Sequence, residues 1–291
     1  MPSLTCYCAY ARFPLGVSRW AKSKYSGDGS VPFVTVGASS DVGRVRELNE
    51  DSIYVGTHVW AVADGMGGHA AGDVASTLAT QALHSMDHEG LAVEELLAAI
   101  STASETISKF GEQNADSMGL GTTLSGVAEV TLGGAHHWAV FNVGDSRVYR
   151  FSDGELARAT IDHSEVEEMV LDGRITEDQA RTHPSRNFIT RSLGSDPAPE
   201  VDVWVLPQSA EERFMICSDG LTTEVRDESI ASTLSRCDPQ AAADELVRDA
   251  CTHGGHDNVS AVVLLVDRPT DDVTDERTHP REKLSRSGND G

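Results

Sequence analysis

Short apolar segments of strand length occur in groups, separated by longer segments in which apolar residues recur at helical spacing. The first kind predicts strands at FVTVGAS, SIYVGTH, VWAVA, TLSGVAEV, AHHWAVFNV, RVYRFS, VDVWVLP, RFMICS and NVSAVVLLVD. The second kind predicts helices near residues 70–86, 92–113, 164–174, 177–182, 227–236 and 239–252. Because short turns join the strands, we expect antiparallel pairing, with helices covering the apolar sheet faces. The predicted fold class is α+β, a layered sandwich with sheets inside and helices outside.

The two ends of the chain differ from its middle. Nothing between residues 32 and 267 has the composition of a linker, so this segment is predicted to form one domain. Residues 1–31 carry scattered aromatic side chains and are predicted to be an irregular extension. Residues 268–291 are polar with few large apolar side chains, and they are predicted to be a disordered tail.

Composition narrows the functional classes. The chain has 291 residues, and 46 acidic against 23 basic residues give a net charge of −23. Such a surface repels nucleic acid, and a compensating Lys/Arg run is missing from the sequence. The apolar segments are shorter than the roughly 20 residues that cross a bilayer, and the N-terminal residues lack a signal peptide's apolar core, so no membrane anchor is expected. Five cysteines without paired spacing favour a reducing, cytoplasmic compartment.

Two apolar strands end in the same dipeptide, Asp64-Gly65 and Asp219-Gly220. Asp-Gly is also a common hairpin turn, and Asp153-Gly154, which lies between two short strand segments, is predicted to be one. The first two dipeptides are followed by helical patterns instead of a returning strand, so the hairpin interpretation is unfavourable there. Both carboxylates are therefore expected to emerge at strand ends, where they can hold hard metal ions.

Further carboxylates lie in short turns at strand boundaries: Asp145 in GDSR, Asp257 in HDN, and the pair Glu50 and Asp51 in RELNED. Each one alone has an ordinary turn or helix-capping explanation. Together they suggest convergence, which requires cations because ionised carboxylates repel one another. Oxygen ligands without paired His or Cys favour Mg²⁺ or Mn²⁺ over zinc, and two such ions side by side suit phosphate-ester hydrolysis.

Two more residues suit phosphate chemistry. Arg46 lies four residues before Glu50 and offers a planar guanidinium that can bind two phosphate oxygens at once. His69 follows the glycine-rich turn after Asp64 and is a candidate acid for protonating the leaving alkoxide. A helix-capping or merely exposed histidine is the alternative interpretation of His69.

Six motifs follow one another between Arg46 and Asn258: RELNED, ADGMGGHAAG, GTT, GDSR, SDGL and HDN. In this order they resemble the metal-dependent serine/threonine protein phosphatases of the protein phosphatase 2C type, and the bacterial branch most closely. The resemblance implies a four-layer sandwich of two mainly antiparallel sheets flanked by pairs of helices. It also implies Mn²⁺- or Mg²⁺-dependent hydrolysis of phosphoserine and phosphothreonine in proteins, with serine/threonine kinases among the partners.

The resemblance also implies a role for each residue that matches a motif. It makes Asp64 the ligand that bridges two cations, and it adds the Gly65 carbonyl, Asp219 and Asp257 as further ligands. It implies that Glu50 and Asp51 hold metal-bound waters and that Asp145 helps to hold a third ion. It also implies that Arg46 binds the substrate phosphate and that His69 is the acid. Residues 162–194 correspond to a mobile flap beside the site. Many relatives have an aspartate four residues after Asp219, where this chain has Thr223 and then Glu224, a departure that bears on the third ion.

Two other functions stay open at this point. A catalytically silent phosphoprotein-binding module on the same fold would be favoured by the loss of a metal-binding carboxylate, but Asp64, Asp219 and Asp257 are all present. A two-metal nuclease or phosphodiesterase is disfavoured by the acidic charge and by the motifs. The predicted function is a metal-dependent serine/threonine protein phosphatase.

Overall fold

The structure is a computed structural model that describes residues 33–67, 71–114, 119–209 and 211–267. The predicted N-terminal extension, the predicted tail and His69 lie outside the described residues. The expectations for these segments, and the domain boundaries that depend on them, therefore stay predictions.

Every strand and helix predicted from the sequence is present within the described residues. The strands are β1 (Phe33–Asp41), β2 (Asp51–Val55), β3 (Val59–Met66), β4 (Gly121–Thr122), β5 (Leu124–Leu132), β6 (Ala135–Val143), β7 (Arg147–Ser152), β8 (Glu155–Arg158), β9 (Asp202–Pro207), β10 (Glu212–Cys217) and β11 (Val259–Asp267). The helices are α1 (Ala71–Ala82), α2 (Val93–Gln113), α3 (Glu165–Leu171), α4 (Glu177–Arg181), α5 (Asp219–Glu224), α6 (Asp227–Arg236) and α7 (Pro239–His253). The short β4 and the short α5 were not predicted, and β3 continues through Asp64 instead of ending before it.

The strands form two antiparallel sheets. One has the order β1-β11-β10-β7-β8, and the other has the order β2-β3-β5-β6-β9, with β4 paired to β3. The connection between β7 and β8 is the predicted hairpin, in which Asp153 and Gly154 have φ angles of 54° and 79°. These left-handed angles suit Asp-Gly turns and identify this dipeptide as an ordinary turn.

Apolar side chains form three layers of core. Between the two sheets lie large buried side chains such as Trp60, Trp138 and Phe214, with ring centroids 6.3 Å and 5.8 Å apart in edge-to-face contacts. A second cluster packs α1 and α2 against the β2–β9 sheet, and a third packs α5, α6 and α7 against the other sheet. The predicted α+β sandwich, with two antiparallel sheets flanked by helices, is therefore confirmed.

Local sequence sets the start of α7, the helix that packs on the β1–β8 sheet. The Asp238 carboxylate accepts a hydrogen bond from the Ala241 amide at 2.9 Å, and Pro239 occupies the first turn of α7, where its missing N–H is not needed. The helix then runs beside β1 and β11 and ends at Gly254. The HDN motif comes directly after this end, so α7 and β11 together fix its position.

Candidate active site

The register of β2 and β3 places two of the predicted site carboxylates side by side. Asp51 lies directly opposite Asp64 in this antiparallel pair. The backbone of Asp64 is held on its other side by the GTT motif: its amide donates to Thr123 Oγ1, and its carbonyl accepts from Thr122 Oγ1, each at 2.9 Å. Like charges directly opposite on a sheet are destabilising, so this arrangement favours a cation between them.

The second Asp-Gly dipeptide reaches the same place from the other sheet. Asp219 lies in the first turn of α5, immediately after β10, and its carboxyl group is within hydrogen-bonding reach of Asp64. A Cβ atom at Gly220 would lie 2.1 Å from the Asn258 carbonyl oxygen, so the close approach of α5 to β11 requires glycine. Ser218 donates to Asp51 Oδ2 at 2.8 Å, which links the two sheets at the site.

The electrostatics of these carboxylates favour a bound cation. Burial and neighbouring carboxylates raise the pKa of Asp64 and Asp145 well above their ordinary values, and burial and Asp257 raise that of Asp219. Burial, with the charges of Asp219 and Asp257, raises the pKa of Asp51 to about 7. In addition, Oδ1 of Asp51 and Oδ1 of Asp145 are buried without a hydrogen-bond partner among the residues that the structure describes. Oxygen atoms of this kind fit hard divalent cations such as Mn²⁺ or Mg²⁺.

The carboxylates do not close on a single point. Among the described residues, no group of three Asp, Glu, His or Cys side chains forms a ready-made metal cluster. The carboxylate of Asp64 is instead close enough to those of Asp51, Asp145, Asp219 and Asp257 for their charges to raise its pKa. Water or a backbone carbonyl such as that of Gly65 would have to complete the coordination of an ion there, as small hard cations commonly require.

Glu50 and the glycine-rich turn form the side of the site next to α1. The Gly65 and Ser76 donors bond to the Glu50 carbonyl at 3.2 Å and 2.6 Å. Burial raises the pKa of Glu50, and a bond from the Gly72 amide to its carboxylate opposes that effect. A Cβ atom at Gly65 would lie 2.2 Å from the Gly72 carbonyl oxygen. Gly65, the glycine of the ADG sequence, is therefore required by the close contact between β3 and α1.

Arg46 and Asp257 face each other at the rim. Arg46 Nη2 lies 2.8 Å from Asp257 Oδ2, and the two side chains are 50% and 37% exposed. An ion pair this exposed contributes little to stability, about 1 kcal/mol or less. Arg46 is therefore free to exchange this partner for another anion, and Asp257 for a cation.

Asn258 holds the loop that carries Arg46, a role that the sequence did not predict. Asn258 Nδ2 donates to the Val42 and Leu48 carbonyls at 3.0 Å and 2.8 Å, and its Oδ1 accepts from the Glu50 amide at 2.9 Å. These bonds tie the loop that carries Arg46 to the HDN turn. The HDN motif itself drew attention to Asn258, but its partners are about two hundred residues away in sequence.

Asp145 approaches the site from the turn between β6 and β7. It is 8% exposed. The preceding Gly144 has a φ of 106° and a Cβ atom there would collide with Thr123 at 2.5 Å, so the turn requires glycine. On the other side, the Arg147 guanidinium grips Asp162 with two bonds, Nε to Oδ1 at 3.0 Å and Nη2 to Oδ2 at 2.6 Å.

Thr223 and Glu224 lie where this chain differs from many relatives, which have an aspartate four residues after Asp219. Thr223 is exposed on α5. The neighbouring Glu224 does not stand in for the aspartate of other relatives, because its Oε1 is held by His256 Nδ1 at 2.6 Å. His69 lies outside the described residues, so its position relative to the carboxylates stays a prediction.

Comparison with known proteins decides the family. The model of the family described as protein phosphatase 2C matches residues 44–249. The chain belongs to the protein phosphatase 2C family. A serine/threonine protein phosphatase, PstP of Mycobacterium tuberculosis, is 40% identical over 233 residues, which cover 79% of this chain and 44% of PstP. The serine/threonine phosphatase stp of Listeria welshimeri is 37% identical over 242 residues, covering 79% of this chain and 94% of stp.

A solved relative carries the metal ions that the carboxylates suggest. The catalytic domain of PstP in complex with two manganese ions is 36% identical to this chain and superposes on it with a TM-score of 0.73. The superposition covers 82% of this chain and 100% of the PstP domain. The prediction that the chain belongs to the protein phosphatase 2C family is thereby confirmed. This chain spans less than half the length of the mycobacterial protein phosphatase 2C sequence. Within its described residues, none of its helices has the length and apolar character needed to cross a bilayer.

Proposed function

We propose that this protein phosphatase 2C chain hydrolyses phosphoserine and phosphothreonine in other proteins. The observation that carries the proposal is the proximity of Asp51, Asp64, Asp145 and Asp219, which have raised pKa values and two buried oxygens without a hydrogen-bond partner among the described residues. When bound there, a pair of Mn²⁺ or Mg²⁺ ions would supply an acidified water nucleophile and neutralise the phosphate charge.

The proposed division of labour follows the positions of the side chains. Asp64 lies beside Asp51 of β2 and Asp219 of α5, which suits a ligand shared by two ions, and Asp219 and Asp257 would complete the ligands of the ion pair. The Gly65 carbonyl would add a ligand. Glu50 and Asp51 would hold water molecules around the ions, and Asp145 would help to hold a third ion, the roles that the resemblance to the family implies.

Arg46 is proposed to orient the substrate phosphate. Its guanidinium is half exposed on the rim and is held only by Asp257 among the described partners. A phosphate dianion offers it two oxygens in the geometry of its planar fork, which Asp257 does not use fully here. Substrate binding would then transfer Arg46 from Asp257 to the phosphate and leave the Asp257 carboxylate to its cation.

His69 is proposed to protonate the leaving alkoxide. The glycine-rich turn that precedes it begins beside Asp64, and Gly67 there has a φ of 153° that favours glycine. A proton donor matters only for a poor leaving group. His69→Gln should therefore slow a phosphothreonine peptide by on the order of 10²-fold more than it slows p-nitrophenyl phosphate. Equal losses on both substrates would withdraw this role.

The biological partners are also proposals. The substrates would be phosphoserine and phosphothreonine proteins, including serine/threonine kinases, whose activating phosphates such an enzyme removes. A cytoplasmic location is supported by Cys217, Cys237 and Cys251, which are all free thiols in the described part of the chain.

The decisive experiment strips the purified protein of metal and adds back Mn²⁺. We expect hydrolysis of p-nitrophenyl phosphate and of a phosphothreonine peptide to depend on Mn²⁺ and to stop on chelation, with no cleavage of a nucleic-acid substrate. Binding of the phosphopeptide without turnover at saturating Mn²⁺ would instead identify a silent phosphoprotein-binding module. Full activity without metal would refute the two-ion mechanism.

A further inference from the structure

The two ends of the flap (162–194) are joined by a narrow neck. The Glu165 amide donates to the Phe188 carbonyl at 3.0 Å, and the Thr190 amide donates to the His163 carbonyl at 2.7 Å. The chain therefore enters and leaves the flap at one place. Any movement of the flap as a body must turn about this neck or distort it.

One residue of the neck also holds the turn that carries Asp145. The His163 amide donates to the Gly144 carbonyl at 2.9 Å, and the Gly144 amide donates to His163 Nδ1 at 3.1 Å. His163 is 5% exposed, so water does not compete for these bonds. Both backbone groups of the residue before Asp145 are thus bound to His163.

These bonds fix the proton on the imidazole. A backbone amide can only donate, so Nδ1 of His163 is the unprotonated nitrogen and Nε2 carries the hydrogen. Nε2 lies 3.1 Å from Asp202 Oδ2 and donates to it. Arg191, near the end of the flap, donates to Oδ1 of the same carboxylate at 2.9 Å. Burial alone would raise the pKa of Asp202, but its bonds to His163 and Arg191 lower it, so it remains an ionised acceptor.

We propose that His163 is a positioning residue that couples the flap to the Asp145 carboxylate. Asp202 orients the imidazole, the imidazole orients the turn at Gly144, and the turn aims Asp145 into the site. The proposal rests on the proposed function, because it assigns Asp145 to a bound cation. Coupling between two sites is reciprocal, so cation binding beside Asp145 should steady the flap neck, and a substrate that steadies the flap should strengthen cation binding.

Two conservative variants separate the two sides of His163. His163→Asn keeps an acceptor near the position of Nδ1 and loses the donor to Asp202. His163→Gln keeps a donor near the position of Nε2 and loses the acceptor for the Gly144 amide. His58→Asn is the matched control, because His58 Nδ1 also contacts a buried carboxylate, Glu129 Oε2 at 3.0 Å, and has no bond to the flap.

The measurements are hydrogen exchange of the metal-free protein and calorimetric titration with Mn²⁺. We expect His163→Gln to speed exchange at residues 143–147 and to weaken the weakest Mn²⁺ site by about 10-fold to 100-fold, the usual effect of losing a partner behind a metal ligand. His163→Asn should speed exchange at residues 188–194 and leave Mn²⁺ affinity nearly unchanged. In the unaltered protein Mn²⁺ should slow exchange at residues 188–194, and both variants should lose this response.

Several outcomes would overturn the proposal. Equal effects of the two variants on both segments would mean that His163 merely fills space. A retained response of residues 188–194 to Mn²⁺ in either variant would show that coupling runs by another route. If a variant unfolds, Asp202→Asn, which removes only the charge of the orienting group, takes its place and should resemble His163→Asn. Failure of the unaltered protein to bind Mn²⁺ would refute the proposed function, whereas exchange in the metal-free protein would still decide whether His163 joins the two segments.

Discussion

Buried carboxylates in two regions of this molecule have opposite surroundings. Between the sheets, Glu212 is wholly buried and fully bonded: it accepts from Trp138 Nε1 at 2.7 Å, from the Ser209 amide at 2.7 Å and from Arg150 Nε at 2.5 Å. At the site, by contrast, carboxylates face carboxylates, and within the described part of the chain Oδ1 of Asp51 and Oδ1 of Asp145 have no hydrogen-bond partner.

The difference distinguishes buried charges that stabilise the fold from buried charges that bind a ligand. A buried carboxylate is tolerated when a cation and hydrogen bonds surround it, as they surround Glu212. Removing a partner there leaves an uncompensated charge. At the site the compensation has to come from outside the chain, so removing one carboxylate should relieve repulsion in the metal-free protein and destroy the reaction in the loaded one.

The largest expected effect is on catalysis at the site. Asp64→Asn keeps the shape of the side chain and removes the negative charge that two cations would share. Turnover of p-nitrophenyl phosphate with Mn²⁺ should therefore fall by on the order of 10³-fold, which corresponds to several kcal/mol of transition-state stabilisation. In the metal-free protein the same change should leave the melting temperature equal or higher. A large loss of stability without metal would show that Asp64 serves the fold instead.

The interior pair should respond in the opposite way. Glu212→Gln removes the carboxylate that pairs with the buried Arg150 guanidinium, so the free energy of unfolding should fall by about 3–5 kcal/mol in urea titrations. Turnover per folded molecule should not change. The double variant Arg150→Met with Glu212→Leu is the control, because replacing both charges by apolar groups is expected to restore most of the stability. A catalytic defect in Glu212→Gln at full folding would contradict the comparison.

Some of this arrangement could be predicted from the sequence. The strand-ending Asp-Gly dipeptides predicted two site carboxylates because no hairpin partner followed them. Glu212 gave no such signal, because an acidic residue at the start of RFMICS is as compatible with the surface as with a buried pair. The parts that escaped prediction depend on contacts between distant segments, such as the bonds of Asn258 to the Arg46 loop and those of His163 to Gly144. The roles of the site residues stay predictions until variants are measured.

Arg46 lies between the two extremes, since it has a counter-charge that it can exchange. Arg46→Lys keeps the charge but loses the planar fork, so we expect KM for a phosphothreonine peptide to rise about 10-fold, roughly 1.4 kcal/mol, with little change in stability. Arg150→Lys is the matched control inside the sandwich, where stability should fall and KM should not change. An unchanged KM in Arg46→Lys would mean that Arg46 only pairs with Asp257.

The smallest expected effect is the pH dependence of the metal-free protein. The pKa of Asp51 is about 7 in the folded state, above the ordinary carboxyl value near 3.9, so the folded state keeps a proton that the unfolded state releases between about pH 4 and pH 7. The stability that this proton provides is complete below about pH 4 and is lost as the pH rises to about 7. In urea titrations with chelator at pH 5, 6 and 7, the unaltered protein should lose up to about 1.4 kcal/mol per pH unit more than Asp51→Asn does. Asp153→Asn in the exposed β7–β8 turn is the control and should keep the original slope.

Mn²⁺ should reverse the trend, because its ligands must lose their protons, so the stabilisation that Mn²⁺ provides should grow from pH 5 to pH 7. Parallel slopes for the unaltered protein and Asp51→Asn would show that the repulsion at the site is already relieved without a cation.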